Sequence, residues 1–173
     1  LVSERSAPKE NRLKLNLGCG MRKLDGYVSI DMEPSVHPDK IVDLGRQYWP
    51  FSDNSVDEML AEHILEHLPG ETFFHFLREA WRVGKPGATL KVLLPHPRHD
   101  IFLNDPTHVR PVLPATFFGF SKRHMFALAK RGMVLTPFYH HYGIDFDLST
   151  VTYYFDEGVD RNDPHIEYRM KHE

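Results

Sequence analysis

The strongest constraint on the fold is a repeated pattern in the first quarter of the sequence, where short apolar segments stop at a turn or an aspartate. Residues 13–17 (LKLNL) alternate apolar and polar side chains and stop at the turn GCG (18–20), which is typical of a strand. Residues 27–31 (YVSID) and 40–44 (KIVDL) predict two further strands, each with an aspartate near its end. If the strands are parallel, their carboxyl ends share one edge of the sheet, so the turn and the aspartates are expected to lie together.

The following part of the chain alternates predicted strands and helices. Apolar residues recur at helical spacing in residues 69–83, and the turn GKPG (84–87) ends that helix. This alternation favours an α/β fold of the Rossmann-like kind, with a mostly parallel sheet and helices on its faces. The further predicted elements are strands at 56–62 (VDEMLAE) and 88–94 (ATLKVLL) and a helix at 115–130.

The connections between the first four strands are short. Residues 21–26, 32–39 and 45–55 leave little room for crossover helices, because parallel crossovers usually need about ten or more residues with a helix. We therefore expect reduced helices between the first strands and one thinly covered face of the sheet. The amino-terminal leader or another subunit is expected to shield that face.

The two ends of the chain differ from its centre. Residues 1–12 are polar and lack an apolar period, which predicts a flexible leader before a single domain at 13–173. Residues 146–155 and 165–172 predict a C-terminal antiparallel hairpin that completes the sheet.

Composition excludes several classes of protein. With 173 residues and a formal net charge of -3, the chain is long enough for one core and lacks the charge of a general nucleic-acid binder. No apolar stretch approaches the roughly 20 residues of a membrane span. The one cysteine, Cys19, cannot form an intrachain disulfide, which favours a cytoplasmic protein. The expected partners are a small molecule and, for the thin sheet face, a second copy of the chain.

The residues at the strand ends suit a nucleoside ligand. Gly18 and Gly20 let the backbone turn tightly and approach a ligand closely. Asp31 can accept hydrogen bonds from both hydroxyls of a ribose. Asp43 can accept from an adenine amino group, while Leu44 offers apolar contact to the ring.

Taken in order, these segments resemble one family, the class I S-adenosylmethionine-dependent methyltransferases, and in particular small members with a Leu-Glu-His-Leu segment after the fourth strand. The resemblance covers about residues 13–125 and includes the turn that links helix and fifth strand in that family, here RVGKPGA (82–88). The matching segments are LNLGCG (15–20), VSID (28–31), VDL (42–44), SVDEMLAEHILEHL (55–68), LREAWRVGKPGATLKVLLP (77–95) and DPTHVR (105–110).

The resemblance implies a bound S-adenosylmethionine with its methionine part at the glycine turn, its ribose at the second strand end and its adenine at the third. Glu62 and His63 would border the sulfonium. The cofactor residues assigned on this basis are Leu17, Gly18, Cys19, Gly20, Asp31, Met32, Asp43, Leu44, Glu62 and His63. The implied activity is methyl transfer to a small molecule or sugar-like acceptor.

The acceptor side is expected in the loops after the fifth strand. A neutral histidine near the methyl donor can remove a proton from a hydroxyl or amine, and His108 in DPTHVR is the candidate base. Arg98 and Arg110, with His96, are candidates for binding a carboxylate or phosphate of the acceptor, so an anionic acceptor is favoured. The same histidines could bind a divalent metal, but we assign no metal site from the sequence.

Two alternatives stay open from the sequence. The segment His63-Ile64-Leu65-Glu66-His67 matches the H-x-x-E-H string of a zinc hydrolase, in which two histidines one helical turn apart hold zinc beside a catalytic glutamate. That interpretation needs a helix beginning before His63, whereas VDEMLAE just upstream predicts a strand. The second alternative is a domain that binds S-adenosylmethionine without catalysis.

Overall fold

A computed structural model of the protein describes residues 12–154, and its centre is a parallel sheet. The chain moves outward from the central strand to one edge and then returns to the other side, so the strand order reverses beside the first strand. The strands are β1 (Lys14–Leu17), β2 (Val28–Asp31), β3 (Lys40–Ile41), β4 (Val56–Glu62) and β5 (Gly84–Leu93), in the order β3-β2-β1-β4-β5. The predicted α/β, Rossmann-like sheet is confirmed.

The connections between the first four strands contain no α-helix, as their lengths predict. A single 3₁₀ turn, Pro34–Val36, lies between β2 and β3. Strand β3 is shorter than predicted, since the chain leaves the sheet after Ile41, where the amide of Val42 still donates to the carbonyl of Asp31 at 2.9 Å.

One face of the sheet carries the core, which is closed by α1 (Gly70–Val83). Leu15, Leu17 and Ile30 of the sheet are fully buried in the same cluster as Phe76 and Leu77 of the helix. Burying side chains of this size stabilises the fold by roughly 1.5–3 kcal/mol each. Trp81, which has helical spacing with the core residues, is instead 41% exposed and packs against the edge of Phe146.

A buried polar network replaces the missing helix before β4. Trp49 is fully buried, its ring meets Phe76 edge-on at 5.2 Å, and its amide donates to the carboxylate of Glu79 at 2.7 Å. Arg82 donates twice to Glu79, at 2.9 and 2.7 Å, and also to the carbonyls of Trp49 and Phe51. Burial raises the pKa of Glu79, but the bonds from Arg82 and Trp49 outweigh it and leave the pKa below its ordinary value. One ion pair thus holds residues 49–51 on α1.

The other face of the sheet is polar. Side chains alternate between faces along a strand, and the residues opposite the core include Lys14, Glu58 and Lys91. Glu58 accepts from Lys91 at 2.6 Å and from the Tyr27 hydroxyl at 2.7 Å, and it lies 3.1 Å from Lys14. Ion pairs and hydrogen bonds therefore satisfy this face, and an apolar cover by a leader or second subunit is not required.

The last described part of the chain packs on the outer side of α1. Phe120 is fully buried against Phe73 and Phe74, and the ring of Tyr142 stacks on Phe74 at 4.3 Å. These contacts involve the 3₁₀ turn Pro114–Phe120 and α4 (Phe138–Tyr142); the remaining helices are α2 (Asp100–Asn104) and α3 (Lys122–Ala129). None of the helices in the described part is long and apolar enough to cross a membrane.

The helix predicted at 115–130 is divided at Ser121. This residue is extended and fully buried; its hydroxyl accepts from the amide of His124 at 3.2 Å and donates to Asp147 at 2.7 Å. Ser121 thus caps α3, which explains why one long helix does not form.

The first strand of the predicted C-terminal hairpin is not formed in the described residues. Residues 146–154 contain no strand, and every strand pair in the described part is parallel. The partner segment, 165–172, and most of the predicted leader lie outside the described residues.

Replacing Arg82 with alanine is expected to lower the free energy of unfolding by about 3 kcal/mol, because Glu79 is left buried without its charge partner. Urea denaturation followed by circular dichroism measures the change. Arg78→Ala, on the exposed side of the same helix, is the matched control and should change stability by less than about 0.5 kcal/mol. Equal effects of the two variants would contradict the network.

Glu58 should make stability depend on pH under acidic conditions. Hydrogen bonds from Lys91, then Tyr27 and Lys14, lower its pKa to about 2. A depressed carboxyl pKa contributes stability above the ordinary value, and that contribution is lost as pH falls towards 2. Glu58→Gln should lower the free energy of unfolding by about 1–2 kcal/mol at pH 7, allowing for solvent screening, and flatten its decline below pH about 4.5. An unchanged acid profile in this variant would refute the assignment.

Candidate active site

The glycine turn after β1 lies at the carboxyl edge of the sheet and has two different glycines. Gly18 (φ 64°) has no room for a side chain, since a Cβ there would lie 1.9 Å from Cδ1 of Ile64. Gly20 (φ 48°) faces open space, with no atom within 4 Å of the corresponding Cβ position. Gly18 is therefore required by packing, whereas Gly20 leaves a space that a ligand can enter.

Asp31 at the end of β2 is held against this turn. Its Oδ2 accepts from the amide of Gly20 at 2.8 Å, and its Oδ1 accepts from the amide of Glu33 at 3.0 Å. A carboxylate has about four lone-pair sites, so each oxygen can still accept from a ligand hydroxyl. Met32, the next residue, is 65% exposed and presents an apolar surface beside the carboxylate. The turn, acid and methionine form one continuous surface.

The end of β3 fits the sequence prediction less closely. Asp43 accepts from the amide of Gly45 at 3.0 Å through Oδ1, and its carbonyl accepts from the amide of Gln47. Leu44 is 7% exposed and belongs to the core, with its carbonyl accepting from the indole of Trp49 at 3.1 Å. Asp43 therefore shapes a turn, and Leu44 offers little surface to a ligand.

An ion pair crosses the site between the glycine turn and β4. The guanidinium of Arg22 donates to the carboxylate of Glu62, the last residue of β4. Asn16, beneath the same loop, donates to the carbonyl of Arg22 at 2.7 Å. Arg22 is not among the residues predicted from the sequence, because spacing alone does not show that a side chain after the turn reaches a strand end 40 residues later.

The structure does not favour the zinc-hydrolase interpretation of residues 63–67. His63 has a left-handed backbone (φ 54°), and its amide donates to the carbonyl of Leu93 at 3.0 Å as the chain leaves the sheet. The following element is only a 3₁₀ turn, Leu65–His67. His63 and His67 therefore do not lie one turn apart on a helix.

The loop at 105–110 (DPTHVR) docks onto this 3₁₀ turn. The amides of Val109 and Arg110 both donate to the carbonyl of Glu66, at 2.9 and 3.1 Å. Arg110 also places its guanidinium 4.6 Å from the Phe73 ring centroid and donates to the carbonyl of Leu68 at 3.2 Å. These contacts give Arg110 a structural role, and its predicted contact with an acceptor stays a prediction.

The candidate base His108 is enclosed by this loop. Its side chain is 6% exposed, Nδ1 lies 2.9 Å from the carbonyl oxygen of Phe102, and Nε2 lies 3.6 Å from Oδ2 of Asp105. Hydrogen bonds from the hydroxyl and amide of Thr107 lower the pKa of Asp105. Both ring nitrogens of His108 thus face protein groups.

His96 and Arg98 follow β5 at the same edge. His96 is half-buried; burial, followed by the charge of Arg98, lowers its pKa, so the neutral ring is favoured. Its Nδ1 accepts from the amide of Arg98 at 3.3 Å, and Arg98 itself is exposed.

A polar cleft also exists at the opposite, amino edge of β4 and β5, lined by residues such as Arg12, Asp57 and Lys85. Parallel sheets bind ligands at the carboxyl edge, so that cleft is not the candidate site.

The comparisons with known proteins agree with this geometry. A family model described as a methyltransferase domain matches residues 27–92. The matched segment runs from β2 into β5 and is less than half of the chain. That family implies S-adenosylmethionine as the cofactor. No curated protein sequence matches the chain significantly.

Among solved structures, the chain resembles a SAM-dependent methyltransferase from Archaeoglobus fulgidus, with a TM-score of 0.53 and 22% identity over 68% of this chain and 60% of that one. The chain thus matches less than two thirds of the length of that protein, and the likeness supports the fold. A weaker match, with a TM-score of 0.38 and 23% identity over 51% of this chain and 47% of the other, is a complex from Haloferax volcanii between the Trm112 methyltransferase activator and a protein described as a methyltransferase.

The two glycines of the turn should respond differently to alanine. In Gly18→Ala the new methyl group overlaps Ile64 and the left-handed backbone is strained, so the free energy of unfolding should fall by about 3 kcal/mol or more. In Gly20→Ala only the backbone strain applies, and the loss should be about 1 kcal/mol. Urea denaturation of the two variants tests this, and similar losses would contradict the difference in packing.

Proposed function

We propose that the chain is an S-adenosylmethionine-dependent methyltransferase that acts on a small, sugar-like or anionic acceptor. The main support for this proposal is the open space at Gly20. The amide of Gly20 donates a hydrogen bond to Oδ2 of Asp31 at 2.8 Å, which holds the carboxylate beside that space. Because Gly20 has no side chain, the ribose and the adjoining methylene of a nucleoside cofactor have room beside the carboxylate of Asp31, which can accept hydrogen bonds from the ribose. The site is thus compatible with the cofactor that the family implies.

Other residues have the chemistry needed for the remaining parts of this cofactor. Asp31 would accept from the ribose hydroxyls, and the exposed Met32 would contact the adenine. Arg22 and Glu62 carry opposite charges at the strand end, which matches the carboxylate and ammonium of an amino acid. Asp43 would reach the adenine amino group only through Oδ2, because Oδ1 accepts from Gly45.

The chain needs little catalytic machinery for this reaction. When bound, S-adenosylmethionine supplies a methyl group activated by its sulfonium. The protein must align an acceptor lone pair with that methyl group and keep the acceptor in place. Loops after β4 and β5 border the site, and the exposed Arg98 with the neutral His96 gives this border the capacity to bind anionic or hydroxyl groups.

Some earlier predictions remain proposals at this point. The role of His108 as a base depends on a nitrogen that faces the acceptor, while both of its nitrogens lie near protein groups. A small-molecule acceptor, a homo-oligomer and a cytoplasmic location likewise remain predictions.

Calorimetry with S-adenosylmethionine and its demethylated product tests the cofactor site. Asp31→Ala should weaken binding by about 10-fold or more, because hydrogen bonds to a charged group contribute roughly 1.5–3 kcal/mol. Asp25→Ala is the matched control, since it removes an exposed carboxylate from the loop before β2 and should leave affinity unchanged. Absence of binding to the intact chain would refute the proposal.

A turnover screen separates catalysis from binding alone. A labelled methyl donor is offered with sugars, carboxylic acids and amines as acceptors. Transfer to an anionic or hydroxyl-bearing acceptor is expected. Tight cofactor binding without transfer to any class would instead favour a domain that binds the cofactor without catalysis.

A further inference from the structure

Three potential metal ligands meet where the segments after β4 and β5 touch. Glu66 and His67 belong to the 3₁₀ turn after β4, and His108 belongs to the loop docked against it. One ligand atom from each residue lies within 4.8 Å of the other two. The rings of His67 and His108 meet edge-on with their centroids 4.6 Å apart. The docking of the loop thus creates a cluster of two imidazoles and one carboxylate.

The carboxylate of Glu66 is buried without a hydrogen bond. Its side chain is 1% exposed, and neither oxygen makes a hydrogen bond to any described residue. Nδ1 of His63 lies 3.3 Å from Oε1, within ion-pair distance but without hydrogen-bond geometry. Isolated burial of a carboxylate is costly, and such groups in proteins are normally paired or coordinate a metal. This buried carboxylate without a hydrogen bond therefore points to a bound cation.

The hydrogen bonds behind the histidines leave one nitrogen of each ring for a metal. His108 has Nδ1 beside the Phe102 carbonyl, at 2.9 Å, so Nδ1 carries the proton and Nε2 the lone pair of the neutral ring. His67 has Nδ1 at 3.0 Å from the Thr107 hydroxyl oxygen and 3.3 Å from the Thr107 carbonyl. The Thr107 hydroxyl donates its proton to Asp105 at 2.6 Å and can only accept from His67.

The Nδ1 contacts of the two rings match the hydrogen bonds that metal-bound histidines usually make. A ligating histidine almost always donates its other ring N–H to a carbonyl, a carboxylate or water, which fixes its tautomer. The two bonds from Val109 and Arg110 to the Glu66 carbonyl hold the backbone of both contributing segments together. Asp105 adds negative charge at the edge of the cluster, with Oδ2 3.6 Å from Nε2 of His108.

We propose that Glu66, His67 and His108 bind a divalent transition-metal ion. Two imidazole nitrogens and one carboxylate oxygen suit zinc, iron, cobalt or manganese, whereas magnesium and calcium prefer oxygen ligands alone. Ligand atoms around a tetrahedral zinc ion lie roughly 3.4 Å apart. The three ligand atoms here, which lie within 4.8 Å of one another, would move closer together on binding the ion. In this site Glu66 is a ligand and not a hydrolytic base.

The metal site also suggests how an acceptor is held, a role that rests on the proposed function. Three protein ligands leave coordination positions open, and these can bind a hydroxyl or carboxylate oxygen of the acceptor. Nδ1 of His63, the residue that follows β4, lies 3.3 Å from Oε1 of Glu66, so an oxygen bound by the cluster would lie near the strand end that borders the proposed cofactor site. In this arrangement Nε2 of His108 coordinates the metal and does not remove the proton.

Calorimetry of the metal-free, tag-free chain with zinc and with magnesium tests the site. We expect one zinc ion per chain and weak or no binding of magnesium. Loss of a hydrogen-bonding partner behind a metal ligand costs about 10- to 100-fold in affinity. Thr107→Val should therefore weaken zinc binding by about 10-fold, and His67→Ala or His108→Ala by more than about 100-fold. His140→Ala, an exposed histidine on α4, is the matched control and should bind zinc normally.

Two further readouts keep the test independent of enzyme activity. Cobalt bound to the chain should give visible absorption bands that disappear in His108→Ala. Saturating zinc should raise the melting temperature by about 5 °C or more in the wild type and not in Glu66→Gln, which keeps the shape of the side chain. Absence of zinc binding, or wild-type binding by His67→Ala and His108→Ala, would overturn the site.

The metal proposal can fail separately from the proposed function. Binding of S-adenosylmethionine is measured on metal-free protein, where the cofactor site at Gly20 and Asp31 is complete without the ion. Cofactor binding without zinc binding rejects only the metal site. Zinc binding without cofactor binding rejects the function and the role in holding an acceptor, and leaves the metal site in place.

Discussion

The ion pair between Arg82 and Glu79 holds the chain before β4 on helix α1, and the arrangement of the sheet depends on it. The connection from β3 to β4 has no helix of its own, so its buried anchor, Trp49, must be fixed by a neighbour. Glu79 fixes the amide of Trp49, and Arg82 neutralises the buried carboxylate and binds two carbonyls of the same segment. With this segment in place, β4 pairs beside β1 and its carboxyl end reaches the glycine turn.

The short connections also decide how the side chains on the two faces of the sheet are packed or paired. One face packs against α1, which is enclosed further by residues such as Phe120 and Tyr142. The connections that cross the other face are too short to form α-helices. The side chains of that face form ion pairs and hydrogen bonds centred on Glu58. The strand segments thus have different chemistry on alternate residues, which is unusual for a parallel sheet, whose strands are normally apolar on both faces.

The candidate site depends on bringing together the carboxyl ends of β1, β2 and β4 and the loop that follows β5. This edge of the sheet has a hydrogen-bond-accepting carboxylate at Asp31 and an ion pair between Arg22 and Glu62. It also has two histidines beside the buried Glu66. The first two suit a charged nucleoside cofactor, and the third suits a metal ion. His63, which follows Glu62 along the chain and lies 3.3 Å from Glu66, links the proposed cofactor site to the proposed metal site.

Local patterns in the sequence determined most of the elements. Apolar spacing identified β4 with its observed bounds and α1 to within a residue, and the resemblance in ordered motifs agrees with the matched methyltransferase domain. These features are local, because periodicity and turn chemistry act over a few residues. The tertiary structure decided which side chains meet across long separations: Arg22 with Glu62, Arg110 with Phe73, and His67 with His108. Such contacts depend on how loops dock onto a finished sheet, which no spacing along the chain encodes.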